Sequence, residues 1–147
     1  MAYTLYYWTA CKDFWGRAIG VVLTLEDAGA AYTIEAPNEA PQGGRFNFPT
    51  ITLDTGETMG QTPAILNVLG ARFALTGTNE PQRILCQQTV LDWNDIFAEA
   101  QNGSFTKDPS RAVRWFELLD AQLSDRRFFV ADTPTVAAVN GYALGGG

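Results

Sequence analysis

Two short segments carry the residues best suited to hold a ligand. The first is Phe48-Pro49-Thr50, where a proline begins a strand and cannot donate a ladder hydrogen bond. If the Phe48-Pro49 peptide bond is cis, the backbone N–H and C=O of Phe48 face outward and can pair with an extended, peptide-like ligand. The alternative is an ordinary proline at a strand start, which binds nothing.

The second segment is Gln61-Thr62-Pro63-Ala64, at the predicted beginning of a helix. Free backbone amides and the helix dipole attract a carboxylate there, and Gln61 adds two donors and an acceptor. Thr62 is predicted to be the N-cap, with Pro63 at the first helical position. Its hydroxyl can either cap the helix or bind the carboxylate. Taken together, the two segments predict a site for a small, acidic, peptide-like ligand.

The absence of histidine narrows the chemistry that such a site can perform. Ser-His-Asp and Cys-His arrangements are impossible, and the usual zinc ligand is missing. Proton transfer or thiol chemistry must therefore use tyrosine, cysteine, carboxylates, lysine or the ligand itself. The two cysteines, Cys11 and Cys86, predict neither a disulfide framework nor a metal site, and a reducing compartment such as the cytoplasm is expected.

Charge and hydropathy exclude further classes of function. The net charge is −6, and no basic stripe occurs, so nucleic acid would be repelled. No run of 18 uncharged apolar residues is present, which argues against a membrane span. The first residues lack the basic and apolar regions of a secretory signal.

The elements that position the two segments follow from the apolar pattern. Strands are predicted at residues 3–8 and 31–35, and a hairpin at 50–53 and 58–59 encloses Asp54-Thr55-Gly56-Glu57. Helices are predicted at 14–28, 62–73, 80–101, 109–123 and 134–144, and Asp108 is expected to cap the fourth of them. No strand pattern follows Gly77.

This order predicts an α/β half, β-α-β-β-β-α, followed by an all-α half. The first two strands should be parallel, and the hairpin should add antiparallel neighbours. The expected domains are residues 1–77 and 78–147, with a core shared between them.

The order and spacing resemble the glutathione transferase family, whose N-terminal domain has the thioredoxin fold. The resemblance rests on the strand Tyr3–Trp8, on Asn47-Phe48-Pro49-Thr50-Ile51, on the hairpin, and on Gln61-Thr62-Pro63-Ala64-Ile65-Leu66. It covers nearly the whole chain, strongly over residues 1–75 and unevenly after residue 100. It implies that glutathione is the ligand, that a small electrophile is the second substrate, and that detoxifying conjugation is the reaction.

The resemblance also implies roles for individual residues. Tyr7 would donate a hydrogen bond to the sulfur of glutathione and favour its thiolate, with Trp8 touching the ligand beside it. Arg45 would meet the glycine carboxylate, and Phe48 with Pro49 would hold the cysteinyl backbone. The remaining contacts are assigned to the γ-glutamyl end: Gln61 and Thr62 from the same chain, and Asp95 from the neighbouring subunit of a homodimer.

Two alternatives to Tyr7 stay open. Ala10-Cys11 is similar to the cysteine-type members of the family, and Thr9 is similar to the serine- or threonine-type members. Four of the candidate site residues also have a plainer interpretation. Tyr7 can be buried in the core, and Cys11 can be an idle loop residue. Arg45 can simply be solvated, and Asp95 can belong with Asp92 to a solvent-exposed acidic helix face.

The helical half departs from the family pattern. Part of the helical pair after Asn102 and everything after about residue 144 are expected to be missing, which would shorten one wall of the electrophile pocket. The family's buried capping box also lacks its aspartate, because Ala138 stands three residues after Thr135. These departures support a second hypothesis, a non-catalytic transferase-like subunit that docks into a larger protein complex.

Overall fold

A computed structural model of the chain describes residues 2–8, 15–41 and 46–145. Its α/β half contains a four-stranded mixed sheet with the order β2-β1-β3-β4. The strands are β1 (Tyr3–Tyr6), β2 (Tyr32–Glu35), β3 (Thr50–Thr52) and β4 (Thr58–Gly60). β1 runs parallel to β2 and antiparallel to β3, and β3 and β4 form the hairpin. The predicted order β-α-β-β-β-α and the predicted strand directions are confirmed.

Two helices pack on this sheet, and four more follow it. The helices are α1 (Ile19–Asp27), α2 (Thr62–Arg72), α3 (Glu80–Gln101), α4 (Ser104–Lys107), α5 (Pro109–Leu123) and α6 (Val136–Gly145). A 3-10 turn at Gly16–Ala18 precedes α1. The predicted all-α second half is confirmed, and no strand occurs in it among the described residues. Asp108 caps α5 as predicted, since its carboxylate accepts a hydrogen bond from the Ser110 N–H.

One hydrophobic core joins the two halves of the chain. Leu5 and Ile51 of the sheet, Leu25 of α1 and Leu66 of α2 are fully buried in it. The same core takes its second side from α3 and α6, through residues such as Val90 and Val136. The α/β half is therefore stabilised by apolar contacts with the helical half.

α6 packs between α1 and α3, and glycines at the two contacts allow the helices to approach closely. A Cβ atom at Gly141 would lie 2.6 Å from Nε1 of Trp93 on α3, which is closer than Cβ atoms lie to other atoms in proteins. A Cβ at Gly20 of α1 would lie 2.5 Å from Oδ1 of Asn140. On one side of α6, the backbone of Gly141 therefore contacts the side chain of Trp93 on α3. On the other side, the side chain of Asn140 contacts the backbone of Gly20 on α1.

Several element boundaries differ from the prediction. The first strand ends at Tyr6, so Tyr7 and Trp8 follow the strand instead of ending it. Thr62 is the first residue of α2 and not its N-cap, which is Gln61. None of the helices in the described ranges is long and apolar enough to cross a membrane.

Candidate functional site

The hairpin brings the two predicted ligand-binding segments together. β3 and β4 pair in a register that places Thr50 opposite Gly60. Pro49 precedes the first of these residues and Gln61 follows the second, so they leave the sheet side by side. The Phe48-Pro49 peptide bond is cis, which was the condition for an outward-facing Phe48 backbone. Residues separated by the whole hairpin thus share one edge of the sheet.

Gln61 has a backbone conformation that is rare for a residue with a side chain. Its φ is +71°, a value that non-glycine residues rarely adopt, and its side chain is exposed. Its side chain accepts no capping hydrogen bond, so the amide stays available to a ligand. A concavity of about 300 Å³ lies beside it, lined by Phe46, Asn47, Met59, Gly60 and Gln61.

Thr62 faces inward, which corrects its predicted role as a helix cap. Its side chain is 7% exposed, and its hydroxyl donates a hydrogen bond to the backbone carbonyl of Arg17 at 3.0 Å. The hydroxyl hydrogen is therefore used inside the protein. Its oxygen can still accept a hydrogen bond, and Thr62 brings the start of α2 against the 3-10 turn that precedes α1.

Three aromatic rings continue the surface from the end of β1 towards Pro49. Trp8 packs edge-to-face on Tyr7, with ring centroids 5.1 Å apart, and on Phe48, at 5.6 Å. Trp8 is half exposed and Phe48 is partly buried, so both can contact a bound molecule. The structure thus brings Trp8, Phe48 and Pro49 together, and their contacts with a ligand stay predictions.

Tyr7 lies deeper than its neighbours. Its side chain is 8% exposed and belongs to the hydrophobic core, and its N–H donates to the Glu35 carbonyl at 3.0 Å. This burial agrees with the plainer interpretation, in which Tyr7 is part of the core. The role of Tyr7 at the sulfur of a ligand stays a prediction.

Three of the candidates lie outside the described residues: Arg45, Cys11 and Thr9. The other thiol, Cys86, is unsuited to chemistry. It is buried in α3, is not in a disulfide, and burial raises the pKa of its thiol. A buried thiol that resists ionisation makes a poor nucleophile.

Asp95 lies on α3, where it is exposed, as a residue that reaches another subunit must be. Its neighbour Asp92 is partly buried, and its Oδ2 is enclosed without a hydrogen-bond partner in the described part of the chain. Burial, reinforced by the charge of Asp95, raises the pKa of Asp92. These two carboxylates therefore differ in environment although they share one helix.

Sequence reasoning did not single out Arg17. Its guanidinium donates to Asn94 at 2.9 Å and to Gln101 at 3.2 Å, and lies 4.9 Å from the centre of the Phe97 ring. Its carbonyl accepts the hydrogen bond from Thr62. Arg17 thus connects α3 to the start of α2. The only signal in the sequence is a charged residue at the start of an apolar helix.

Two further observations concern metal binding and the position of a large cavity in the described part of the chain. Across residues 2–8, 15–41 and 46–145, no group of three histidine, cysteine or acidic side chains is placed to hold a metal ion. A cavity of about 750 Å³ lies elsewhere, between α1, α5 and α6. Its walls include Leu23, Trp93, Phe116, Phe128 and Tyr142, and none of the predicted site residues.

Solved structures supply a comparison at the level of the fold. The glutathione S-transferase of Ascaris lumbricoides superposes with a TM-score of 0.81 at 22% identity, over 99% of this chain and 80% of that one. The Pi-class glutathione S-transferase of Onchocerca volvulus gives 0.76 at 19% identity, over 97% and 74%. The glutathione S-transferase of Pseudomonas fluorescens gives 0.72 at 17% identity, over 99% and 84%.

Comparisons by sequence find no such relative. No protein-family model matches the chain, and no curated protein matches it. The likeness therefore lies in the arrangement of the backbone, and it extends over both halves of the chain. The protein has the glutathione transferase fold, with a thioredoxin-like first half and a helical second half.

Proposed function

We propose that this protein binds glutathione at the sheet edge formed by Phe48, Pro49 and Gln61, and conjugates it to a soft electrophile. The observation that carries the proposal is the shared edge: a cis-proline and a positive-φ glutamine flank the same strand pair. The backbone of Phe48 is suited to the peptide part of glutathione, and the start of α2 to a carboxylate. The fold of the solved transferases supports the same ligand.

The proposal includes an orientation for the ligand, which the resemblance to the transferases implies. The γ-glutamyl end would lie at Gln61 and at the backbone of Thr62, whose hydroxyl is engaged inside. The cysteinyl part would lie along Phe48 and the glycine carboxylate near Arg45. Trp8 would cover the ligand from the end of β1.

Tyr7 is the proposed donor to the sulfur of glutathione. A thiol with a pKa near 8.5 needs to be shifted by about two units to ionise largely at neutral pH. One hydrogen bond to the thiolate, aided by the positive end of α1, is of that order. The proposal includes a homodimer in which Asp95 reaches the γ-glutamyl ammonium bound by the partner.

Binding is tested first. Isothermal titration with reduced glutathione should give saturable binding, and Gln61→Ala should weaken it about tenfold or more, as expected for lost hydrogen bonds to charged groups. Gln87→Ala, which removes an exposed glutamine from α3, is the matched control and should leave the affinity unchanged. If the unmodified protein does not bind glutathione, the proposed function is wrong.

Catalysis is tested separately with an aryl halide electrophile. Tyr7→Phe should lower turnover at pH 7 by up to a hundredfold if the thiol pKa is shifted by about two units, and the loss should shrink as the pH rises. Cys11→Ala should leave turnover intact. The opposite pattern would move the chemistry to Cys11. Glutathione binding with no turnover would instead indicate the non-catalytic subunit of a larger complex.

A further inference from the structure

The apolar face of α5 forms one side of a groove in the helical half. The cavity of about 750 Å³ between α1, α5 and α6 adjoins a second concavity of about 630 Å³ along α5. The two concavities share the side chains of Trp93, Phe116, Leu123 and Phe129. Trp93 is almost fully buried and packs edge-to-face on Phe129, with ring centroids 6.1 Å apart. The two concavities therefore form one groove with an aromatic floor.

Apolar side chains in the walls of this groove are open to solvent. Val113 and Phe116 of α5 are 56% and 52% exposed, and Tyr142 of α6 is 78% exposed. They line a common concavity instead of being scattered singly over the surface. Grouped apolar side chains of this kind commonly mark a site where another molecule binds. The groove is therefore a candidate interaction surface.

The dimensions of the groove match those of a helix. Its lining residues on α5 run from Ala112 to Leu123, which is about 16 Å of helix at about 1.5 Å per residue. Three turns of a bound helix have the same length, and they present apolar side chains at positions i, i+3, i+4 and i+7. No strand lines the groove in the described part of the chain, so an extended segment would find no sheet edge to pair with.

The rim of the groove is acidic. It carries four exposed carboxylates: Glu26, Asp27, Glu117 and Asp120. Among the described residues none of these four forms an ion pair, although Glu26 accepts a hydrogen bond from the Tyr32 hydroxyl at 2.6 Å. Glu26 and Asp27 also lie in the last turn of α1, where the helix dipole adds negative potential.

Positive charge does little to compensate for this rim. Arg127 is the basic residue that lines the groove, and its guanidinium lies 5.2 Å from the centre of the Phe128 ring. The arginines of α5 are already paired, Arg111 with Glu99 and Arg114 with Asp108. An apolar floor with an acidic rim is complementary to a molecule that is apolar on one face and basic at its edges.

We propose that this groove binds a basic amphipathic helix of a partner protein. Its apolar face would pack over Trp93 and Phe129, and its lysine or arginine side chains would lie against the acidic rim. A second copy of this chain fits less well, because two acidic rims would repel each other and each chain has a net charge of −6. The proposal does not depend on glutathione, since no candidate ligand-binding residue lines the groove.

Binding is tested with synthetic peptides of about 14 residues, long enough for three helical turns. The first peptide has leucine and phenylalanine at positions i, i+3, i+4 and i+7, and lysine elsewhere. The second has glutamate in place of lysine, and the third has the composition of the first in scrambled order. Fluorescence anisotropy with the whole chain should show saturable binding of the first and at least tenfold weaker binding of the others. Equal affinities, or no saturable binding of the first peptide, would overturn the proposal.

The location is tested by Phe116→Ser, which should weaken binding of the first peptide about fivefold or more, as truncation of a central aromatic residue does. Ile84→Ser is the matched control, because Ile84 is a 61% exposed apolar residue of α3 that does not line the groove. The control should keep full affinity, and circular dichroism verifies that both variants retain their helices. Unchanged affinity of the Phe116 variant would exclude the groove as the binding site.

The role of the acidic rim is tested by Glu117→Lys. This change should weaken binding of the first peptide several-fold and slow its association, since rim charges act chiefly on the association rate. Glu39→Lys makes the same change of net charge at an exposed residue in the turn after β2, outside the groove, and should have a much smaller effect. Equal effects of the two variants would refute recognition by the rim.

Two other occupants of the groove would give different results. Sedimentation velocity of the unmodified protein would show a dimer that Phe116→Ser dissociates if a second copy occupied the groove. Flotation with phosphatidylcholine vesicles would show lipid binding that Phe116→Ser abolishes if the groove contacted a membrane surface. Ile84→Ser serves as the control in both measurements. Neither result is expected, and either one would overturn the assignment to a basic helix.

Discussion

α1 is an apolar helix and α5 an amphipathic one, and they are held in the protein in different ways. α1 has nine residues, of which Gly20, Val21, Val22, Thr24 and Leu25 are buried between the sheet and α6. α5 has 15 residues, and Leu119 alone is buried when the described part of the chain is considered. Its apolar residues Val113 and Phe116 are 56% and 52% exposed. The difference shows that the apolar face of a helix is buried only where a neighbouring sheet or helix packs against it.

Polar contacts hold α5 where apolar burial does not. Asp108 caps its first turn, and Arg111 forms a bidentate ion pair with Glu99 of α3, with both distances 2.5 Å. The Trp115 indole donates to the same carboxylate at 3.2 Å. α5 should therefore respond to pH more than α1 does, and less to the truncation of its apolar side chains.

The largest expected difference between the two helices is in the cost of shortening a leucine. Leu25→Ala in α1 removes a fully buried side chain and should lower the free energy of unfolding by about 2–5 kcal/mol. Leu118→Ala on α5, where the side chain is 44% exposed, should change it by no more than about 0.5 kcal/mol. Urea denaturation measures both. Similar losses would mean that α5 is covered in solution.

A smaller effect is expected from the carboxylate that anchors α5. The Arg111 guanidinium lowers the pKa of Glu99 below its ordinary value of 4.5. A lowered pKa in the folded state stabilises the protein above the unfolded pKa, and this stability is lost as the pH falls through the lowered value. Glu99→Gln should therefore destabilise the protein at pH 7 and make little difference in strong acid, when urea denaturation is repeated across pH.

Asp92 should show the opposite sign on the same helix, and a weaker effect. Burial raises its pKa above the ordinary 3.8, so ionisation destabilises the folded state as the pH rises through and beyond this range. Asp92→Asn should stabilise the protein at pH 7, and the gain should vanish at a pH below 3.8. A loss of stability at pH 7 would show that the Asp92 carboxylate has a favourable partner.

The sequence predicts the α/β half well because its signals are local. The β-branched and aromatic residues of β1, the turn at Gly56 and the proline after Thr62 each indicate an element without knowledge of the rest of the chain. The meeting of Pro49 and Gln61 also follows from the hairpin, once its register is known. For this reason the position of the candidate site was predictable, whereas the inward direction of Thr62 was not, since it depends on where Arg17 lies.

The helical half was predicted as a set of helices, and its buried faces were not. Ile84 and Leu91 are apolar residues of α3, yet both are exposed, and the buried residues include Cys86, Thr89 and Val90. Helical spacing shows which residues share a face, but not which face has a neighbour. Asn140 could not be identified either, because nothing near it in the sequence indicates that α1 lies against it.

The contact between α1 and α6 has a consequence for the order of folding during synthesis. α1 leaves the ribosome more than 100 residues before α6, the helix that covers it, as about 108 residues separate Asp27 from Val136. Contacts between such distant segments form slowly, because a long loop must close before any energy is gained. Until α6 arrives, the face of α1 around Gly20 and Val21 stays open, so the nascent chain presents an apolar surface that a chaperone can recognise.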